Sequence, residues 1–230
     1  MVAELGQFLL ALALAVSCML GILPMVGSAL RGQAGDRLMA IGRPASLVLF
    51  ALVGLAFLAL ATLFIENDFS VLLVATHSNL DLPLHYRIAA TWGSHEGSML
   101  LWVLTLAGWT TAVALFSSSL PGLLRSRILA VMGLVAFGFL LFLLFTSNPF
   151  ERIDPPPPDG RDLNPLLQDV GMVFHPPLLY MGYVGLSVAF AFAIAGLLGG
   201  GFDAAWARWA RPWTTVAWCF LTLGIALGSF

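Results

Sequence analysis

Charged residues are scarce in this sequence. They make up 10% of its 230 residues, whereas 60% are hydrophobic and the mean hydropathy is +0.94. A water-soluble globule of this size would not stay in solution with such a balance. The scarcity therefore excludes a soluble domain and indicates that lipid is the main solvent.

Several chemical signatures are also missing. Only two cysteines occur, Cys18 and Cys219, and neither belongs to a CxxC or CxxCH motif, so a disulfide framework and a covalent heme attachment site are excluded. The sequence has no GxxxxGK[ST] phosphate loop and no HExxH zinc motif. Glu4 is the only charge before the first apolar run, which lacks the basic start of a secretory signal, so we expect the first helix to be retained.

What is present is a series of long apolar runs. A helix needs about 20 apolar residues to cross the roughly 30 Å hydrocarbon layer, and barrel strands would need only about 10 alternating ones. The sequence therefore predicts an all-α integral membrane protein with six transmembrane helices in a single membrane domain, residues 1–230. They are expected near Phe8–Leu30, Ala45–Ile65, Ser98–Phe116, Ile128–Ser147, Val173–Leu198 and Thr214–Phe230.

The basic residues give the expected orientation. All ten are arginines, and seven lie in the first, third and fifth connections, whereas the second and fourth hold three arginines beside nine acids. The positive-inside rule then places the odd connections in the cytoplasm and both termini outside. Two connections on the outer side are long, at 66–97 and 148–172. In them we expect Phe69–Ala75 to pack at the interface as a short lid, and Pro155–Pro158 to act as a stiff spacer.

All four histidines fall on this predicted outer side. Imidazole can shuttle protons, bind a metal or titrate in water. For His77 and His85, flanked by polar residues and Pro83, a solvated loop is the favoured interpretation. His95 lies in the segment Trp92-Gly93-Ser94-His95-Glu96-Gly97, for which two interpretations stay open: a helix cap built on Ser94 and Glu96, or a functional site.

His175 is the strongest single candidate. We expect helix five to begin with His175, Pro176 and Pro177, because proline is tolerated in the first helical turn. The apolar surroundings, which include Phe174 and Tyr180, suit an iron porphyrin with an axial histidine. A hydrogen-bonded structural histidine remains the alternative. In helix six, Gly224 and Gly228 form a GxxxG pair that predicts a close helix contact.

Three segments carry a family resemblance: Ala90–Trp102 (ATWGSHEGSMLLW), Asn148–Arg152 (NPFER) and Phe174–Tyr183 (FHPPLLYMGY). Together they closely resemble the cytochrome c maturation heme lyase family CcmF, whose N-terminal region is similar to this sequence from end to end. The resemblance implies a multi-pass protein of the bacterial inner membrane, with both termini and two longer loops in the periplasm, that takes part in attaching heme to apocytochrome c.

The resemblance also implies a cofactor and a site. His175 would be an axial ligand of a b-type heme (heme b) in the membrane, with His95, Glu96, Trp92 and Tyr180 in the heme vicinity. The family's tryptophan-rich outward segment, its outward heme-holding histidines and a second intramembrane ligand have no counterpart here. We therefore expect an N-terminal module of a larger or split heme lyase, inactive alone, with its catalytic residues unassigned.

The implied partners follow from the same resemblance. They are the remaining part of CcmF or a split-CcmF chain, CcmH, the heme chaperone CcmE, apocytochrome c and membrane lipid, with no nucleic acid. Rival functions remain open on the residues alone. They are a small transporter or channel subunit, a b-type cytochrome electron carrier, and a purely structural membrane subunit.

Overall fold

The structure, a computed structural model, describes residues 1–201 and 203–229. Apart from one isolated β-bridge, all regular structure in that part is helical, which confirms the predicted class. The helices are α1 (Val2–Ala29), α2 (Gln33–Ala40), α3 (Gly42–Glu66), α4 (Leu72–His77), α5 (Leu84–Ala90), α6 (His95–Phe116), α7 (Gly122–Thr146), α8 (Val170–Leu198) and α9 (Ala204–Leu227), with a 3₁₀ turn at Pro165–Leu167.

Five segments of the described residues are long and apolar enough to cross a membrane. They are α1, α2 with α3, α6, α7 and residues Val173–Leu198 of α8. The sixth predicted span falls on α9, which has 24 residues but is not among the five. Arg208 and Arg211 lower the apolar character of its first half. The sixth crossing stays a prediction, and its expected end at Phe230 lies outside the described residues.

Local side chains explain where several helices begin and end. Ser94 accepts a hydrogen bond from the Gly97 amide at the start of α6, and Asp203 accepts one from the Trp206 amide at the start of α9. Such caps satisfy amide groups that have no partner inside the helix. α9 therefore begins at Ala204, ten residues before the predicted Thr214. Asn67, in the left-handed conformation with φ 53°, ends α3.

The helices form a bundle. α1 packs against α3 and α7, α6 packs against α3, α7 and α8, and α8 packs along α9. Leu49, Met132 and Phe192 are fully buried between the helices. Phe116 and Phe145 are 77% and 80% exposed. Exposed aromatic side chains of this size indicate that the outer surface is solvated by lipid.

The bundle has two chemically different ends. The loop end carries residues 67–94 and 147–169, the start of α1 and α8, and the end of α9. Arg152 joins the second of these loops to Glu4 of α1, with nitrogen and oxygen 2.6 Å apart. The opposite, arginine end carries the connections at 30–41, 117–121 and 199–203, where Arg127 donates a hydrogen bond to Ser28. Which end faces the cytoplasm stays a prediction.

The contact between α1 and α7 depends on a small residue. A Cβ atom at Gly133 would lie 2.7 Å from the Gly21 backbone nitrogen and 2.8 Å from Leu20 Cγ. Backbone cannot move aside as a flexible side chain can. We expect Gly133→Val to destabilise the protein by about 1–3 kcal/mol, the usual range for an overpacked contact.

The control is Gly138→Val in the same helix, because no heavy atom lies within 4 Å of a Cβ at Gly138. Thermal unfolding in detergent, followed by tryptophan fluorescence, compares the two variants. Only the variant at position 133 should lower the transition temperature. Equal transition temperatures would contradict the proposed α1–α7 contact.

Candidate functional site

His175 lies in the second turn of α8, close to the loop end. The prediction that the helix begins at His175 is wrong, because α8 begins at Val170. Asp169 explains the earlier start, since its carboxylate accepts a hydrogen bond from the Gly171 amide at 2.6 Å. Pro176 and Pro177 therefore lie inside the helix. Because proline has no amide proton, two carbonyls one turn earlier lose their intrahelical donor.

The ring of His175 is held by a backbone carbonyl of the neighbouring helix. Its Nδ1 atom lies 2.8 Å from the carbonyl oxygen of Gly224 in α9. A carbonyl can only accept, so Nδ1 carries a proton, and in the neutral form of the ring the lone pair is therefore on Nε2. Among the described residues Nε2 forms no hydrogen bond. This is the state in which histidine binds metals.

Glycines make this approach possible. A Cβ at Gly224 would lie 2.7 Å from the Leu179 Cα, and a Cβ at Gly228 would lie 2.5 Å from the His175 Cε1. The GxxxG pair thus packs directly on His175 and Leu179, which confirms the predicted close helix contact. Gly182 of α8 extends it, because a Cβ there would lie 2.3 Å from the Leu221 nitrogen. We use the name glycine seam for this contact surface, which consists of His175, Leu179 and Gly182 of α8 and Leu221, Gly224 and Gly228 at the end of α9.

Tyr180 points to a different neighbour. Its ring meets Trp102 of α6 edge-on, with centroids 5.9 Å apart. Trp102 also contacts Phe139 of α7 at 5.5 Å. Tyr180 therefore joins α8 to the rest of the bundle. Among the described residues, no ring contact or hydrogen bond joins it to His175.

The segment around Ser94 is a compact turn between α5 and α6. The Ser94 hydroxyl accepts a hydrogen bond from the Gly97 amide at 3.2 Å, which confirms the predicted cap. Gly97 is required by close packing, since a Cβ there would lie 1.8 Å from the Thr91 carbonyl oxygen. Trp92 stacks on Phe57 of α3, with ring centroids 6.3 Å apart. The cap interpretation thus has direct structural support.

His95 and Glu96 have different environments. His95 is exposed; its Nδ1 lies 3.1 Å from the Ser147 hydroxyl, and its ring meets Phe142 edge-on. Glu96 lines a cavity of about 260 Å³ between α4, α6 and the second loop. His77 and Glu151 also line this cavity.

The solvated-loop interpretation of His77 and His85 is met only in part. His77 ends the short helix α4 and its Nδ1 lies 3.1 Å from the Leu73 carbonyl, so it is half-buried and hydrogen-bonded. His85 is exposed and contacts only the ring of Tyr86, at 4.2 Å, among the ring contacts of the described residues. His85 is therefore solvated as that interpretation predicts, but it lies in the helix α5 and not in a loop.

The two long loops are bound to each other. Val71 pairs with Arg152 in an antiparallel bridge, the Leu72 amide donates to the Glu151 carbonyl at 2.8 Å, and the Ile153 amide donates to the Ser70 carbonyl at 3.0 Å. Further along, the Arg161 amide donates to the Ala75 carbonyl at 2.8 Å. Phe69–Ala75 therefore packs against the second loop, and its predicted place at the membrane interface as a lid stays a prediction.

Arg152 connects three parts of the loop end. Its guanidinium donates to Glu4 of α1 at 2.6 Å and 2.9 Å, approaches Asp68 of the first loop at 3.4 Å, and contacts the Ser70 hydroxyl. Sequence reasoning missed this role. The only available signal was the position of Arg152 in the Asn148–Arg152 segment, beside the acids of the outer loops.

The residues proposed to lie near the heme thus each contact a different neighbour. Trp92 contacts Phe57, His95 contacts Ser147, and Tyr180 contacts Trp102. No group of three or more His, Cys, Asp or Glu side chains in the described part of the chain could hold a metal ion.

Comparison with known proteins gives the family. Residues 92–230 match the family model described as "Cytochrome C assembly protein". The chain belongs to the cytochrome c assembly protein family. It is 60% identical over its whole length to the cytochrome c-type biogenesis protein CcmF of Haemophilus influenzae, and 59% identical to CcmF of Escherichia coli. A solved structure of "Cytochrome c Heme Lyase CcmF" matches 97% of the chain with a TM-score of 0.81 and 30% identity.

This member of the cytochrome c assembly family is a CcmF homologue and a multi-pass protein of the bacterial inner membrane. It spans about a third of the length of the relatives it matches: the alignment covers 35% of both CcmF proteins and 35% of the solved chain. The activity of those complete proteins can therefore only be proposed for this chain.

The loop contacts around Arg152 lead to a prediction. Arg152→Gln removes three contacts, and although each exposed ion pair is weak, together they tie both loops to α1. We expect residues 147–169 to be cleaved by chymotrypsin about fivefold faster, because cleavage follows the population of the open loop.

Arg161→Gln is the matched control. The side chain of Arg161 forms no hydrogen bond or ion pair with the described residues, and its backbone bond to Ala75 is retained. Gel analysis of cleavage over time in lipid nanodiscs distinguishes the variants. Equal rates for Arg152→Gln and the wild type would show that Arg152 does not hold the loops together.

Proposed function

We propose that this chain is the N-terminal membrane module of a CcmF-type heme lyase, and that His175 binds heme iron at the loop end of the bundle. The observation that carries the proposal is the hydrogen bond from His175 Nδ1 to the Gly224 carbonyl. It fixes the tautomer that leaves Nε2 available to a metal. The family supplies the chemistry that such a ligand would serve.

Heme b fits this arrangement on three grounds. The porphyrin brings its own four equatorial nitrogens, so the protein needs to supply only axial ligands, and one imidazole is present. Phe174 and Tyr183 on α8 are 58% and 52% exposed, which leaves apolar surface near the histidine for a flat ring. Glycine at position 228 leaves room for the imidazole ring itself, since a Cβ there would lie 2.5 Å from His175 Cε1, so the ligand can take up its position.

Depth in the membrane sets where the cofactor would lie. His175 is the third residue of the candidate span Val173–Leu198, and Gly228 follows the last residue of α9. A heme held there would lie at the edge of the hydrocarbon layer. When bound, this heme b would supply redox-active iron, which would help keep the iron of the incoming heme in the ferrous state. His175 would hold the iron, and the glycine seam would fix the direction of its ring.

The remaining site residues receive different roles. His95 is exposed and could donate a hydrogen bond to a heme propionate. Glu96 would repel a propionate, so we assign it to the cavity that it shares with His77. Trp92 and Tyr180 pack on other aromatic rings and are assigned to the frame around the site. The second axial ligand and the apocytochrome-binding surface would come from the remaining CcmF sequence, on this or another chain.

Membership of the family also suggests partners. CcmE would deliver heme and CcmH would present apocytochrome c to the loop end, where the two bound loops form a rigid surface. α9 would cross the membrane as a sixth span, returning the chain to this end.

The rival functions find less support. A transporter or channel subunit would need ionisable groups at mid-membrane depth. The buried polar side chains of the described residues are all serine or threonine. A b-type electron carrier would need two facing histidines within its spans. In the described part of the chain, His95 is the first residue of α6 and His175 lies in the second turn of α8.

Heme content tests the proposal. The complete heme lyase that contains this segment is purified, and heme per protein is measured from the pyridine hemochrome spectrum. We expect His175→Ala to lower the ratio at least twofold. His85→Ala is the control, because His85 is exposed and its ring contacts Tyr86, with no bond to a residue of the glycine seam among the described residues. Unchanged heme content in His175→Ala would remove this residue from the site.

A second variant separates ligation from folding. Methionine is also an axial heme ligand, so His175→Met should retain part of the heme while shifting the Soret and α bands and raising the reduction potential. A histidine that only supports the helix contact would give no such spectral shift. Native-like bands with full heme content would therefore also contradict the proposal.

A further inference from the structure

We propose that a groove between α6 and α9, at the arginine end, binds one glycerophospholipid from the leaflet on that side. The phosphate would lie at Arg208 and one acyl chain would follow α6 towards the centre of the membrane. The mouth of the groove lies at the end of the bundle opposite His175, and although the apolar part reaches Pro177, none of the observations that support the lipid proposal depends on the heme proposal.

The mouth of the groove is a cavity of about 450 Å³. Arg208, Ser117 and Ser119 line it, together with the indole rings of Trp209 and Trp213. Guanidinium and hydroxyl groups are donors that suit a phosphodiester, and indole rings favour the boundary between headgroups and hydrocarbon. The mouth therefore combines the two chemistries found at the end of a phospholipid.

Two polar groups at the mouth have no hydrogen-bond or ion-pair partner among the residues that the structure describes. Ser117 is 3% exposed, and its hydroxyl oxygen has no hydrogen-bond partner in the described structure. A buried hydroxyl without a partner is unfavourable, so an acceptor supplied by a ligand would stabilise it. Among the described residues no carboxylate pairs with Arg208 either. A phosphate oxygen would satisfy both groups.

The groove continues into an apolar part of about 580 Å³. Trp109 and Val216 line both parts, so the two cavities are continuous. The apolar part is bordered by Phe50 of α3, Met181 of α8 and Phe220 of α9. The Trp109 indole nitrogen donates to the Met181 carbonyl at 3.1 Å, which uses its only polar group and leaves the ring to face the groove.

The length of the groove fits an acyl chain. It follows α6 from Ser117 back to Leu101. At about 1.5 Å per residue this distance is about 24 Å. One leaflet contributes roughly half of the 30 Å hydrocarbon layer, or about 15 Å, so a complete chain can lie along the helix. A protein helix in the same place would bury Arg208 and Ser117 against apolar side chains, which is why lipid is the favoured occupant.

Two variants test the mouth and the apolar part separately. Arg208→Gln removes the charge at the mouth. Gly108→Leu fills the apolar part, because a Cβ at Gly108 already lies 3.5 Å from Phe50 Cε2 and a larger side chain extends into the groove. Arg211→Gln is the matched control, since Arg211 lies one turn further along α9 and does not line either cavity.

The complete protein is extracted from its membrane in polymer-bounded discs and then transferred to detergent, and the phospholipid retained per protein is measured by mass spectrometry. We expect about one tightly held phospholipid in the wild type and in Arg211→Gln, and at least a threefold loss in Arg208→Gln and Gly108→Leu. Equal retention in all four proteins would overturn the proposal.

A photo-reactive side chain at position 216 should label phospholipid, and labelling of another protein segment instead would also overturn the proposal.

Discussion

The close contact between α8 and α9 is the constraint on which the candidate site depends. In lipid, apolar side chains gain little by leaving the solvent, so helices associate where small residues let their backbones approach. Gly182, Gly224 and Gly228 provide that approach here. The Gly224 carbonyl accepts both the helical bond from the Gly228 amide and the bond from His175. The imidazole of His175 is thereby held in one orientation, with Nδ1 towards α9.

The loop end is organised by a second, independent set of contacts. Backbone hydrogen bonds pair the two long loops, and Arg152 ties both to α1. Gly160 is needed in this contact, since a Cβ there would lie 2.0 Å from the Ser78 carbonyl oxygen. Because the second loop leads directly into α8, the same contacts limit where His175 can lie. The seam sets the direction of the ring, and the loops set its position on the bundle.

Features that depend on nearby residues could be predicted from the sequence. The apolar runs predicted five of the spans, the Ser94 cap follows from its spacing to Gly97, and the Gly224–Gly228 spacing predicted the helix contact. The start of α8 could not be predicted correctly, because two prolines normally mark a first turn while Asp169 caps the helix earlier. Contacts between residues about 80 positions apart, such as that of Arg152 with Asp68, could not be predicted either, because they leave no periodic pattern in the sequence.

The most direct test of the central claim is whether the lone pair on His175 Nε2 binds iron. The complete protein is labelled with histidine carrying ¹⁵N at Nε2, and its ferric form is studied by electron–nuclear double resonance. The account predicts a strong coupling from axial ¹⁵N whose intensity falls at least twofold when His175 is replaced by alanine. A coupling that persists at full intensity in that variant would contradict it.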